Sequence, residues 1–343
     1  MMESEPRVLE THCEWRKDDV DDGNLWTEFL NEAECEEIEA ALRQALSRSD
    51  QILDIDRDDF PLPHLQSRFR SIEEELIGGR GFVVLRGIPR EQYNQNEMEM
   101  IYWGLGLHLG DPWPQNKHGH VLGDVTDQGK RGDDPTSRGN EIGHVAFPYH
   151  SDGSDLVGLM CLQKARSGGI STVANAVTIH NDLVRDEPEL AAALYAPQPF
   201  DFRGEQAKGS RGWYELPVFT AWSERLFVRY IRPYILASQR HDTAPRITER
   251  AETAMQRVDA MTQDPEYNVY MDLEPGDIQF VNNYHVLHAR TAYQDDAETG
   301  QVRHLKRLWL STQALDDRPP HFQRNTALHW GQNRSASQLR VND

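Results

Sequence analysis

A mainly β fold with flanking helices, of β-barrel or jelly-roll type, is what this 343-residue sequence predicts. Two observations carry that expectation. Short runs of β-type composition, bounded by turn residues, recur from about residue 80 to residue 312, and the few stretches with helical periodicity lie outside those runs. No internal repeat and no linker divides the chain. The expected organisation is an acidic N-terminal arm over 1–25, a single domain over 26–316 and a C-terminal tail over 317–343.

Taken in order, the first 25 residues are acidic and poor in apolar periodicity, and read as a loosely held arm. In "NEAECEEIEAALRQALSR", Ile38, Leu42 and Leu46 recur at four-residue spacing, the signature of an amphipathic helix. "RGFVVLRGIP" is a short Val-rich run closed by Gly and Pro and reads as a buried strand. Residues 104–141 show little periodicity, and "DVTDQGKRGDDPTSRGNE" is polar and Gly-rich. A segment of that kind inside a domain is expected to be a functional loop or disordered, and is read here as a lid over a site. "TIHNDLVRD" and "PELAAALYAP" predict two short helices, the second starting at Pro188, where a missing N–H costs nothing. The runs "LPVFTAW", "RLFVRYI", "YNVYMDL", "GDIQFVNN" and "RHLKRLWLS" predict strands, and "TERAETAMQRVDAM" predicts a helix capped by Thr248.

Composition narrows the function classes. A formal net charge of −20 opposes binding to phosphate backbones and to anionic membrane surfaces, so neither nucleic acid nor membrane is an expected partner. No stretch approaches a membrane span, and "MMESEPRVLETHCEWRKDD" lacks the apolar core of a signal peptide, which makes a cytoplasmic location the expectation. Three widely spaced cysteines cannot build a disulfide framework or a thiolate cluster. Any metal here must be held by histidine and carboxylate.

One triplet suits that task. In an extended strand residues two apart share a face, so His150 and Asp152 of "YHSDGS" project side by side, as one imidazole and one carboxylate of a two-histidine, one-carboxylate iron site would. The spacing alone is weak, since about one such triplet is expected by chance. His180 and Asp182 repeat it, but in a helical setting that points them apart. His118 and His120 form another pair, within the irregular segment. A third ligand is available from "PGDIQFVNNYHVLHART", in which His285 and His288 face opposite sides and spacing does not choose between them. In "VRHLKRLWLS" alternation places Arg303, Leu305, Arg307 and Trp309 on one face. Guanidinium groups beside apolar neighbours call for anions, either a carboxylate-bearing ligand or ion pairs with this acidic protein.

Together, "YHSDGSDLVGLMCLQKARSGGIS", "PGDIQFVNNYHVLHART" and "RHLKRLWLS" resemble the taurine dioxygenase/clavaminate synthase-like family of Fe(II)- and 2-oxoglutarate-dependent oxygenases, over roughly residues 80 to 312 and in the family's order. The resemblance implies a double-stranded β-helix, cupin-like in core. It implies that His150, Asp152 and His288 hold Fe(II), His288 being chosen because Arg290 follows it by two. Arg303 matches the arginine for the distal carboxylate of 2-oxoglutarate, and Arg307 a position that contacts substrate or cosubstrate. Ser171 or Thr172 is implied to help hold 2-oxoglutarate. The implied reaction consumes O2 and 2-oxoglutarate, releases succinate and CO2, and oxidises an unactivated C–H bond of a small polar or carboxylate-bearing metabolite. Hydroxylation is the expected outcome, with desaturation or ring formation as alternatives; Asp152 argues against halogenation, for which relatives lack the carboxylate. Gln115, Asn116, Arg232, Tyr234 and Arg307 are the expected substrate contacts, although Tyr230, Tyr234 and Trp213, each taken alone, read more readily as core aromatics. A non-catalytic jelly-roll sensor, or a metal-dependent hydrolase on the same barrel, is the competing reading. Beyond a small-molecule substrate, a second copy of the chain is left open as a partner.

Overall fold

Two β-sheets face one another across an apolar interior. The computed structural model describes residues 5–131, 134, 137, 139, 141–206, 208–322 and 339–341. The larger sheet runs Thr27–Phe29, Phe82–Arg86, Ile278–Asn282, Leu156–Gln163, His304–Ser311, His120–Val125 and Arg340–Val341, with Asp111–Pro112 paired to His304–Ser311. The smaller runs Asn268–Met271, Ser171–Asn175, Val286–Arg290 and Phe147–His150. Only the first and last pairs of the larger sheet are parallel. This is the expected double-stranded β-helix, a jelly roll in which sequence-distant strands become neighbours.

Alternation along the strands builds two cores. Phe82, Val84, Val157, Cys161, Leu305 and Trp309 of the larger sheet meet Val173, Val269, Met271 and Val286 of the smaller one. The opposite face of the larger sheet carries Val83, Leu85, Met160, Phe280 and Leu308, covered by helices Glu32–Arg48, Gln66–Gly78 and Gln95–Leu107. Because both faces are covered, the strands read as continuous apolar runs. Helices Ala176–Asp186 and Glu249–Gln263 belong to the same outer core through Ile179, Leu183, Met255 and Val258.

Helix starts follow local chemistry. Asn31 Oδ1 accepts from Glu34 N at 3.1 Å while Glu34 Oε2 accepts from Asn31 N at 2.9 Å, a reciprocal cap, and Thr248 caps its helix as expected through Ala251 N at 3.1 Å. Pro188 opens the Pro188–Tyr195 helix.

Two expectations are corrected. The N-terminal segment is not loosely held: Leu9, Cys13, Trp15 and Val20 are buried, Asn181 bonds both N and O of Leu9, and Thr178 Oγ1 bonds both N and O of Trp15. Its apolar anchors are too sparse to show periodicity. Nor is 104–141 one irregular segment, since Gly104–Leu107 complete a helix and His120–Val125 form a strand. The helix makes room through Gly104, where a Cβ would lie 2.3 Å from the Phe60 ring. Several residues of 126–141 fall outside those described, as does most of the 317–343 tail. Among the described residues no helix is long and apolar enough to cross a membrane.

Candidate active site

The strand pairing brings the two distant motifs together. Phe147–His150 and Val286–Arg290 are antiparallel neighbours with His288 opposite His150, so both imidazoles rise from the same face of the smaller sheet. Their ring centroids are 4.2 Å apart. Asp152, just past the strand, turns back toward them: Oδ1 lies 3.9 Å from His150 Nε2 and Oδ2 lies 3.7 Å from His288 Nε2. Among the described residues these three form the one group of histidine, cysteine and carboxylate side chains whose atoms converge as metal ligands would, all within 4.8 Å.

The surrounding backbone explains why Asp152 turns. Asn283 Oδ1 accepts from Asp152 N at 3.0 Å, and Asn283 Nδ2 donates to Ser154 O at 2.9 Å, so the second asparagine of "VNNYHVLH" shapes the bend after His150. The first, Asn282, ties the strand end to Leu76 O at 2.9 Å. Ser151 N donates to Tyr230 O at 2.7 Å, fixing the residue between His150 and Asp152.

Electrostatics prepare these groups as ligands. His150 Nδ1 lies 2.9 Å from Pro148 O, which places the proton on Nδ1 and leaves Nε2 as a lone-pair donor. Burial, reinforced by the neighbouring His288, lowers the His150 pKa to about 3, so the ring is neutral at physiological pH. Burial pushes the Asp152 carboxyl upward, but the charge of Arg307 and the neighbouring His288 outweigh it and hold the carboxyl well below the usual range. Imidazole nitrogens and an ionised carboxylate are the donor set that a divalent first-row metal takes. The residues therefore fit Fe(II).

Arg303 fits a ligand carboxylate for a different reason. It is buried, its Nη1 has no hydrogen-bond partner, and no carboxylate among the described residues pairs with its guanidinium. Burial, and Arg290 next, lower its pKa to about 10, the mark of a cation in want of an anion. Tyr293 lies between the two, its ring centroid 5.3 Å from Arg303 and 4.8 Å from Arg290. The "SGGIS" segment serves this contact: Gly169 has φ +71°, and a Cβ there would lie 2.8 Å from Arg303 Nε. Ser171 lines the same cavity, while Thr172 points the other way, bonded to Tyr149 Oη at 2.7 Å and to Val269 O at 3.0 Å. The sequence left that pair open; the pleat separates them.

The remaining predicted residues divide. Arg307 reaches Asp152 Oδ2 at 3.2 Å through Nη1 and Gln115 Oε1 at 2.8 Å through Nε. Gln115 lines the cavity and also bonds the carbonyls of Val121 and Arg307. Tyr234 lines it too, under the Arg203 guanidinium at 4.6 Å. Asn116 does not line the cavity: it staples its own loop by accepting from His118 N and His120 N and bonding His120 Nδ1. Arg232 does not either, being paired with Asp259 at 2.7 Å and with Glu252 at 2.5 Å. Tyr230 and Trp213 are core aromatics. His285 is buried outside the cavity, and His180 bonds Asn181 and Tyr195 while Asp182 pairs with Arg16 and Arg185. His120 is absorbed by Asn116, and among the described residues neither it nor His118 belongs to a ligand cluster.

Sequence reasoning missed Arg229, Arg290 and Arg203 in the cavity wall, and Asp201 beside them. Only Arg290 carried a signal, as part of the "HAR" motif. The others reach the cavity through loops and a hairpin whose approach is tertiary.

Comparison with known proteins places the arrangement. Residues 44–309 match the taurine catabolism dioxygenase TauD, TfdA family. The chain is 33% identical over 302 residues to FR-33289 synthase of Streptomyces rubellomurinus, covering 87% of this chain and 89% of that one. It is 26% identical over 289 residues to the taurine hydroxylase-like protein SAT17 of Stachybotrys chartarum, covering 81% and 73%. Among solved structures it is similar in fold to asparagine oxygenase in complex with Fe(II), 3-hydroxyasparagine and succinate, with a TM-score of 0.65, 18% identity and coverage of 87% and 98%. The non-heme iron oxygenase OrfP in complex with Fe and α-ketoglutaric acid is similar at a TM-score of 0.63, 17% identity and coverage of 88% and 98%.

Proposed function

Because the chain belongs to the taurine catabolism dioxygenase TauD, TfdA family, we propose that it is an Fe(II)- and 2-oxoglutarate-dependent dioxygenase that hydroxylates an unactivated C–H bond of a small polar or carboxylate-bearing metabolite. The observation that carries the reading is the meeting, in one cavity, of His150, Asp152 and His288 with a buried Arg303 that pairs with no carboxylate among the described residues. A hydrolase would need the first set and have no use for the second.

In this reading His150, Asp152 and His288 hold Fe(II). Bound iron supplies the open coordination positions and the redox capacity that 2-oxoglutarate and O2 require. The chain's own residues orient and enclose. Arg303, with Ser171 beside it, takes the distal carboxylate of 2-oxoglutarate and so points its other end toward the three ligands. Arg307 and Trp309 both donate to Asp152 Oδ2, at 3.2 Å and 3.0 Å, and fix which carboxylate oxygen remains for the metal. Leu159, Val125 and Phe147 in the cavity wall exclude water from the reacting region.

The test is oxidation itself. Protein supplied with Fe(II), ascorbate, 2-oxoglutarate and O2 is expected to form succinate, and a metabolite screen should find compounds that accelerate this with a gain of one oxygen atom. Absence of succinate above a His288→Ala control would contradict the proposal.

A further inference from the structure

Resting on that reading, we infer that the substrate carries an oxyanion group and that this group docks on Arg229, not on Arg307. Among the described residues five arginines line the cavity: Arg203, Arg229, Arg290, Arg303 and Arg307. Four have work to do. Arg307 is held by Asp152 and Gln115. Arg290 donates to the carbonyls of Ile142 and Val145, at 3.1 Å and 2.8 Å. Arg203 stacks on Tyr234 and donates to Asp134 O and Ser137 O. Arg303 is the cosubstrate's cation.

Arg229 remains. Its Nη1 donates to Ser151 O at 2.7 Å, and its Nη2 makes only a long contact, 3.4 Å, with Tyr214 Oη. A guanidinium offers five N–H donors, and among the described residues no carboxylate pairs with this one. The acids of the cavity wall are occupied elsewhere: Asp152 by Arg307, Asp201 by Arg240 Nε at 2.6 Å and His241 at 3.2 Å, and Glu205 by the backbone N of Lys117 at 2.8 Å. Arg229 and the Tyr214 hydroxyl therefore face the cavity as a fork beside a hydroxyl, which suits a carboxylate, sulfonate or phosphonate. The position matters for the reaction. Ser151 lies between His150 and Asp152, so an anion held by Arg229 is tethered next to the metal ligands.

The experiment uses full-length protein charged with Mn(II) and 2-oxoglutarate, titrated calorimetrically with propionate, 2-aminoethanesulfonate and ethylphosphonate, with propionamide as the neutral control. At least one anion is expected to bind the wild-type protein and propionamide not to. Arg229→Gln is expected to weaken that anion about tenfold or more, the loss of a charge-assisted bidentate contact, while 2-oxoglutarate affinity stays within about twofold. No anion binding to the wild type, or equal binding to Arg229→Gln, would overturn the inference. Should Arg229→Gln also lose 2-oxoglutarate, Tyr214→Phe decides: weaker anion binding supports the subsite and unchanged binding overturns it. If the wild-type protein binds no 2-oxoglutarate, the underlying dioxygenase reading fails first, and this one with it.

Discussion

Arg307 Nη1 lies 3.2 Å from Asp152 Oδ2, so the arginine that the sequence offered to a substrate is engaged with a metal ligand. The contact restrains one carboxylate oxygen and lowers the proton affinity of the group. Arg307→Ala is therefore expected to weaken Fe(II) binding about 10- to 100-fold, the usual cost of removing a partner of a metal ligand. Trp309→Phe, which deletes only the N–H donated to the same oxygen, should cost less. Anaerobic Fe(II) titration of the two variants checks the order.

Arg303 makes a prediction of opposite sign for stability and for binding. No carboxylate among the described residues pairs with its buried guanidinium, so Arg303→Met should leave the ligand-free fold as stable as the wild type or more so. The same change should remove the 2-oxoglutarate-induced rise in melting temperature, for which binding to the folded state is the cause. Thermal melts with and without 2-oxoglutarate read both effects.

A third prediction concerns the polar knot behind the site. Asp155 is buried and accepts from Arg318, Tyr284, Ser311 and the Thr312 amide. Asp155→Ala removes the buried carboxylate that pairs with Arg318 and is expected to destabilise the fold by about 3–5 kcal/mol. Arg318→Ala should cost a similar amount, and the double variant clearly less than the sum. Urea unfolding of the three variants tests this.

The buried histidines outside the site set an acid limit on stability. Burial lowers His180 and His285 to about 4, against about 6.5 in an unfolded chain. The unfolded state then binds more protons below the higher value. Stability is full above about pH 6.5 and is lost as the pH falls toward 4. His180→Gln should flatten that slope, measured as unfolding free energy against pH in metal-free protein.

The iron site was largely legible because each part rests on a local rule. His150 and Asp152 share a face by strand alternation, and "VNNYHVLHAR" with "RHLKRLWLS" announces strands at the right distance along the chain. The helical decoy at His180 was likewise recognisable from periodicity. What stayed hidden depends on tertiary approach. Arg229 and Arg203 reach the cavity from segments whose own sequence is unremarkable, and nothing local says that no carboxylate among the described residues pairs with Arg229. Asn116 and Arg232 misled for the converse reason: polar residues in irregular stretches look free for a ligand until their neighbours Asn116–His120 and Arg232–Asp259 are seen to use them. Ser171 and Thr172 could not be told apart until the pairing with Arg290 and Ala289 set the pleat.

The central claim, that His150, Asp152 and His288 hold iron while His285 does not, is tested most directly by anaerobic titration of Fe(II) into protein saturated with 2-oxoglutarate. A weak visible charge-transfer band growing to one equivalent of iron is expected in the wild-type protein and in His285→Asn, and no band in His288→Ala. A band that survives in His288→Ala, or that disappears in a folded His285→Asn, would contradict the assignment.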